Sequence, residues 1–593
     1  MPFVFICLTI ISFHCRTNSG SHEAAVITDY DTSAVFKKTS RILSNGFVLS
    51  GEKVDRLRDL EMVWGFLKYH HPALQTGSYN WDNQLFGLIP KMLDARSDAA
   101  ADSILESLVD GLGRPPYCKD CPGLIYDSIK LNPDYAGLFE RGNLPRPLAR
   151  KLEYFKEHAF KIDKPFFVQQ NLAEYPSFIN EPDYGPGVPN VSVRLLALFR
   201  YWNIVQYYYP YRYLVRGWDS ALTEFIPRFA GCGNELDYAV TFRDLISRLG
   251  DSHATVSENP ALEGQLGGNA IPLLLSCAEG RIVISGDITP GSQKMSRYIG
   301  DVVTKIDGTD IDTLVAKFVL ATPGSNYERK LYSITYPGLG ALCRTHNGYS
   351  ELEVMHENAP VNLRVKTVPS GSPLFEAKKD SEPKLRIIDD SIGYLNANRL
   401  KDGDFAEVCK ALNDTKGIVI DLRRYPGTFM PYAYDWWLKP SKSAFLKTSK
   451  FDFRRPGRFY FLSNDANGYD PLRDKGTDGK PRNTVRYKGG IAILVNSGTI
   501  SQGELTAMAF RSIPGAVVVG STTAGADGTV TPVPLPGNIK TLISGTGIYY
   551  PDGSETQQVG IKIDSFCTPT IAGIKQGKDE LLLKAVEILK GRK

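Results

Sequence analysis

The chain has 593 residues, 42% of them hydrophobic, with 69 Lys plus Arg against 65 Asp plus Glu for a formal net charge of +4. That length supports several hydrophobic cores, and charges of both signs spread throughout leave no basic stripe for a nucleic acid. Nine cysteines in such a length exclude a disulfide-built scaffold.

The N-terminus opens with an apolar run from Phe3 to Phe13, too short to span a bilayer and as long as the core of a signal peptide. Export is expected, with residues 1–20 removed by cleavage near Gly20, although no Lys or Arg precedes the run. Cys15 is a candidate acceptor for a lipid anchor, but Ser12-Phe13-His14-Cys15 lacks the small residue expected just before the cysteine. No later segment reaches membrane-spanning length. The mature protein is therefore expected to be soluble or merely anchored, in the periplasm, the cell envelope or the medium. Cys118 and Cys121 are the one close cysteine pair. Without a second pair or histidines at ligand spacing, they read as a local disulfide or two inert thiols rather than a metal site. No metal or cofactor is expected.

Residues 57–113 and 194–250 repeat one another. Trp64 precedes Pro72 by the same spacing as Trp202 precedes Pro210, Trp81 precedes Pro90 as Trp218 precedes Pro227, and Pro90 precedes Gly113 as Pro227 precedes Gly250. Each copy predicts a helical hairpin whose aromatic residues pack the interior. The copies belong to a helical region over 21–180 and a second unit over 181–263. They differ at their ends: the first runs Gly113-Arg114-Pro115, the second Gly250-Asp251-Ser252-His253. A histidine in a turn after a helix is well placed for proton transfer, though it is also an ordinary surface feature. His70 and His71 lie inside the first unit and read as structural.

Residues 264–370 read as short strands. Ile299-Gly300-Asp301-Val302-Val303-Thr304-Lys305-Ile306-Asp307-Gly308 alternates and closes on an Asp-Gly turn. This stretch resembles the strand of a PDZ domain, a module that binds extended peptide ends at its sheet edge. The segment from Tyr327 to Tyr349 is longer than that pattern, so a purely structural β-insert is the other reading.

From 371 to 593 strands and helices alternate, as in an α/β domain whose ligands sit at the carboxyl ends of the strands. Ile491 to Val495 predicts a buried strand, and Ser501-Gln502-Gly503-Glu504 the start of a helix. Helix-start N–H groups can stabilise an oxyanion beside Ser501; the same Ser-x-x-Glu is also an ordinary capping box, and the two readings are compatible.

The ordered set of Asp251-Ser252-His253, the PDZ-like insert, Asp421-Leu422-Arg423 with its Pro426-Gly427 loop, Thr499 to Glu504, Val518-Val519-Gly520 and Gly553-Ser554-Glu555-Thr556-Gln557 resembles the C-terminal processing and tricorn-core family of serine peptidases. The resemblance implies an α+β multidomain chain: N-terminal helical repeats, a PDZ-like β-rich insert and a C-terminal α/β catalytic domain of crotonase-like (ClpP/crotonase) fold. Some members serve the serine with a lysine in a Gly-x-x-Thr-x-Gly-Lys turn. Here that turn is Gly520-Ser521-Thr522-Thr523-Ala524-Gly525-Ala526, and the alanine removes both that dyad and a phosphate-binding P-loop. The tricorn-like style implies Ser501 as nucleophile, His253 as base, Glu555 orienting the base side through Ser252, and an oxyanion hole from the N–H groups of Gly427 and Gln502. Glu555 sits before Gly560-Ile561-Lys562-Ile563-Asp564, where the family usually has Gly-Ile/Val-x-Pro-Asp. The expected partners are peptide or protein substrates. A catalytically inactive peptide- or ligand-binding relative is the alternative, and an acyl-CoA enzyme on the related fold fits an exported chain poorly.

Overall fold

A computed structural model describes residues 30–43, 49–119, 128–139, 144–158, 160, 162, 164–171, 175–291, 295–377, 382–389, 391–438, 444–461 and 486–591. The expected leader, Cys15 and Cys121 lie outside the described residues. Cys118 is disulfide-bonded.

The molecule is mixed α/β, with helical units and several sheets. Each repeated unit holds three helices, not the two of a hairpin: Gly51–His70, Trp81–Asp94 and Asp98–Leu112 in the first, and Val191–Tyr208, Trp218–Gly231 and Glu235–Ser247 in the second. The tryptophans that set the spacing do the same work in both. The indole N–H of Trp64 donates to the carbonyl of Trp81 at 3.0 Å and that of Trp81 donates back at 3.1 Å; Trp202 and Trp218 exchange the same pair of bonds at 2.9 and 3.3 Å. The rings stack at 6.4 Å in each copy. A buried indole needs a partner for its one donor, and each copy meets that need with the carbonyl opposite.

The two units share one core, which continues into the hairpin Val530–Leu535/Ile539–Ser544. At its centre lie four buried charges. Lys68 and Arg200 reach Glu181 at 2.6 and 2.8 Å, and Arg200 reaches Asp82 at 3.0 Å. Arg200 also donates to the carbonyl of Pro534 at 3.2 Å. Lys68 and Asp82 belong to the first unit, Arg200 to the second, Glu181 to the connecting segment and Pro534 to the hairpin, so one balanced ionic set ties four parts of the chain.

The middle of the chain forms an antiparallel sheet in the order Ala359–Lys366, Tyr349–His356, Val302–Ile306, Arg281–Asp287, Leu273–Ala278, with Thr309–Asp310 paired to Val302–Ile306. Asp307 and Gly308 both have positive φ, 48° and 75°, the tight hairpin turn that their sequence predicts. The helices Ile311–Ala321 and Tyr327–Ile334 accompany this sheet.

The last domain is a six-stranded sheet in the order Leu385–Ile388, Ile392–Asn396, Gly417–Asp421, Gly490–Val495, Val517–Gly520, Ser565–Phe566. All neighbours are parallel except the first pair. The central strands are buried on both faces, which explains their unbroken apolar sequences. The helix Glu580–Lys590 covers one face, while Phe405–Leu412, Met430–Leu438 and Gln502–Arg511 pack on the other.

The ionic set yields a stability prediction. Glu181→Ala leaves two buried cations with one anion and is expected to cost about 3–5 kcal/mol, read as a lower urea midpoint at unchanged slope. A midpoint equal to that of the parent chain would show that the four charges do not act as a unit.

Candidate active site

Ser501 stands where the strand Gly490–Val495 has ended and the helix Gln502–Arg511 begins. Its backbone is at φ 53°, ψ −123°, a conformation that favours glycine. Surrounding bonds hold it there. Thr499 Oγ1 donates to Leu422 O at 2.8 Å, Gly498 N–H donates to Asn496 Oδ1 at 2.8 Å, and Ser501 N–H donates to Ala526 O at 2.9 Å.

The expected capping box does not form. Ser501 makes no side-chain cap bond, because its positive φ carries the hydroxyl away from the helix N–H groups; Oγ donates instead to Gly528 O at 3.4 Å. The Glu504 carboxylate is buried and accepts from Thr523 Oγ1 at 2.5 Å, Gly525 N–H at 2.8 Å and Ala526 N–H at 2.9 Å. Burial pushes this carboxyl up, and the three donors partly offset the rise. Asp527 follows, buried and pushed well above the carboxylate range by the same cause and by Glu504.

His253 lies in the turn after Glu235–Ser247. Its own N–H donates to Asp251 Oδ1 at 2.9 Å, and Ser544 N–H donates to Asp251 Oδ2 at 3.1 Å. The imidazole places Nδ1 3.0 Å from Ser544 Oγ and 3.7 Å from Asp251 Oδ1, with Nε2 buried and without a hydrogen-bond partner among the described residues. Burial pushes the ring below the ordinary histidine range. Asp251 opposes that shift and Arg329 adds to it.

Ser252 is committed elsewhere. Its Oγ donates to Ala524 O at 3.0 Å, lies 2.9 Å from Ser325 Oγ and accepts from Ser325 N–H at 2.9 Å. The segment 523–528 thus receives both turns, since Ala524 N–H donates to Thr499 O at 2.9 Å. The structure brings the Ser501 turn and Ser252 onto one strip of chain, while His253 itself bonds to Asp251 and Ser544.

Glu555 stands apart from that strip's hydrogen bonds. Its Oε1 accepts from Lys130 Nζ at 2.8 Å and Tyr213 OH at 2.6 Å, and its Oε2 has no hydrogen-bond partner among the described residues. Gly427 packs so closely that a Cβ would meet Leu400 O at 2.2 Å, and its N–H donates to Ala397 O at 2.9 Å. Gln502 is tied to the same loop through Nε2, which donates to Thr428 O at 2.7 Å. Tyr425, in the same loop, lies near Ser501 and Gln502, and burial pushes its phenol up.

Sequence reasoning did not single out Tyr425, Ser325, Arg329 or Ser544. Tyr425 lies in the Pro-Gly loop, so its proximity to Ser501 had a signal. Ser325 and Arg329 come from the central domain, and Ser544 ends a hairpin strand; none of the three carries a motif of its own.

Residues 391–565 match the family model of peptidase family S41. The chain carries an S41 peptidase domain. A carboxy-terminal-processing protease of Bartonella bacilliformis is 25% identical over 324 residues, which cover 53% of this chain and 64% of that one. The match thus spans less than two thirds of that relative's length. A crystal structure of a CPAF mutant superimposes with a TM-score of 0.50 at 17% identity, over 68% of this chain and 98% of the other, and supports the fold. The photosystem II D1 C-terminal processing protease aligns at 15% identity with a TM-score of 0.36, over 65% of this chain and 98% of that one. Among the described residues no helix is long and apolar enough to cross a membrane.

The strained serine yields a test within this S41 domain. Ser501→Gly is expected to be more stable than Ser501→Ala by about 1 kcal/mol, because only glycine relieves the positive φ. Equal denaturation midpoints for the two variants would count against stored strain at Ser501.

Proposed function

We propose that this chain is an exported serine peptidase that cleaves peptide bonds through an acyl-enzyme on Ser501. The supporting observation is that a strained, helix-start serine and a nearly buried histidine, whose Nε2 has no hydrogen-bond partner among the described residues, stand on turns that both hydrogen-bond to 523–528. In this reading Nε2 of His253 takes the proton of Ser501 Oγ as the oxygen attacks the scissile carbonyl. The N–H of Gln502 stabilises the developing oxyanion, and His253 then returns the proton to the leaving amine. Water, activated by the same imidazole, hydrolyses the ester. Substrates are peptides or protein C-terminal regions, by analogy with the carboxy-terminal-processing relative. The central β-rich domain would hold extended chains in the manner of a PDZ module, and Cys15 would accept a lipid if the leader is processed there.

One observation favours a second reading, a binding protein without turnover: Ser501 Oγ is turned onto the carbonyl of Gly528 at 3.4 Å. Catalytic hydrogen bonds often tighten only when substrate is bound, so hydrolysis remains the preferred reading.

Ser501→Ala is expected to abolish both peptide hydrolysis and labelling by a fluorophosphonate; full hydrolysis in that variant refutes the assignment. The pH dependence has a definite sign. The imidazole must be neutral to act as a base and its folded pKa is depressed, so kcat/KM should hold through the ordinary histidine range and fall only at more acidic pH. A limb at or above the ordinary histidine pKa would contradict the role given to His253.

A further inference from the structure

The carboxylate that serves His253 is a separate question from the identity of the base. Two candidates lie within the same fold, and their surroundings differ. Glu555 is 26% exposed at its side chain and ion-paired to Lys130, with Tyr213 on the same oxygen. A carboxylate already neutralised by a lysine has little field left for an imidazolium. It also lacks a relay, because the Ser252 hydroxyl is spent on Ser325 and Ala524.

Asp251 has the opposite environment. Its side chain is fully buried, and both oxygens accept hydrogen bonds, from His253 N–H and Ser544 N–H. Tyr209, just beyond the helix Val191–Tyr208, lies near the same carboxylate. Ser544 uses both its polar groups: N–H on Asp251 Oδ2 and Oγ against His253 Nδ1 at 3.0 Å. The residue that fixes the carboxylate thus also fixes the ring. Of the side chains at 555–557, Gln557 reaches this network, through a 3.4 Å bond from Nε2 to Tyr209 OH, and it is a neutral amide.

We propose that Asp251, acting directly and through Ser544, is the positioning carboxylate of His253, the role the family resemblance gives to Glu555. This rests on the Ser501/His253 reading of the site. An Asp251 carboxylate beside Nδ1 holds the proton on that nitrogen and leaves Nε2 unprotonated to face the nucleophile, and it stabilises the imidazolium once the proton has moved. The groups that set the charge state of His253 come from two elements: Asp251 in its own turn, and Arg329 on the helix Tyr327–Ile334. Tyr201, Tyr209 and Tyr211 face Asp251 and are held neutral by burial.

The test compares Asp251→Asn, Ser544→Ala, Glu555→Gln and Arg329→Met in the full chain, by the rate of fluorophosphonate labelling and by hydrolysis of dye-labelled casein against pH. Asp251→Asn is expected to slow both by roughly 10²–10⁴-fold and to move the acidic limb to lower pH, since a charge that favours the imidazolium is gone. Arg329→Met should move the limb to higher pH. Ser544→Ala should slow labelling about five-fold, the worth of one hydrogen bond, and it keeps the proposal testable if Asp251→Asn does not fold. Glu555→Gln should shift the limb less than Asp251→Asn. An Asp251→Asn enzyme with the parent's rate and limb, or a Ser544→Ala enzyme with an unchanged profile, overturns the proposal. So does a Glu555→Gln enzyme with the larger shift. The ¹⁵N NMR titration of the His253 ring needs no turnover and separates the two levels of the argument. Labelling that persists in Ser501→Ala refutes the nucleophile, whereas a His253 titration indifferent to Asp251→Asn refutes the positioning role.

Discussion

The Glu504 carboxylate, buried beneath the start of its helix, is the constraint on which the site depends. It accepts from Thr523, Gly525 and Ala526, and so clamps a segment that bonds to both the Ser501 turn and the Asp251-Ser252-His253 turn. A buried carboxylate without donors would be costly, and three donors in fixed directions make it a rigid staple instead. Where some relatives place a lysine, this chain has Ala526, whose N–H belongs to Glu504 and whose carbonyl receives Ser501 N–H. The backbone there is structural on both sides, and the histidine proposed as base comes from another domain.

That domain is the second helical unit, and its rigidity has a physical source. The reciprocal Trp202–Trp218 bonds fix two of its helices, and Arg200 binds it to the first unit, the connecting segment and the Val530–Leu535/Ile539–Ser544 hairpin together. The same hairpin carries Ser544. A histidine at the end of a helix is therefore held against a β-hairpin that comes almost three hundred residues later. The position of the ring is set by packing across domains, because its own turn contributes only the Asp251 cap. The first helical unit, which the family resemblance does not cover, takes part in this chain of support through Lys68 and Asp82.

Much of this was legible in the sequence. Ser501 could be placed at a strand-to-helix turn from the apolar run and the helix-forming residues after it, and the Trp and Pro spacings revealed the duplicated unit. The Asp307-Gly308 hairpin was equally plain, because its residue types dictate its backbone. What escaped was whatever depends on a side chain's distant partners. Ser501-x-x-Glu504 spells a capping box, yet a positive φ at Ser501 and three donors from 523–526 dismantle it. Glu555 has the motif's residue type, but Lys130, from the short strand Ile129–Leu131, pairs with it. No local pattern encodes that encounter. Gly427 shows the same limit: its smallness was readable as a loop requirement, while the engagement of its N–H by Ala397 was not.

The electrostatics of His253 follow from where its neighbours originate. Desolvation disfavours the charged ring, and in a site of low effective dielectric each nearby charge counts for more than it would in water. Asp251 is contributed by the histidine's own turn and cannot leave without unfolding it. Arg329 is contributed by the central β-rich domain, from a helix whose N-terminal side also supplies Ser325 to Ser252 and Asn326 to Thr523. The attractive charge is thus built into the histidine's own turn, while the repulsive one arrives with a separate domain and depends on how that domain docks. A small displacement of the helix Tyr327–Ile334 would weaken the opposing field while leaving the Asp251 geometry untouched. The proton affinity of His253 is in this way coupled to the seating of that helix.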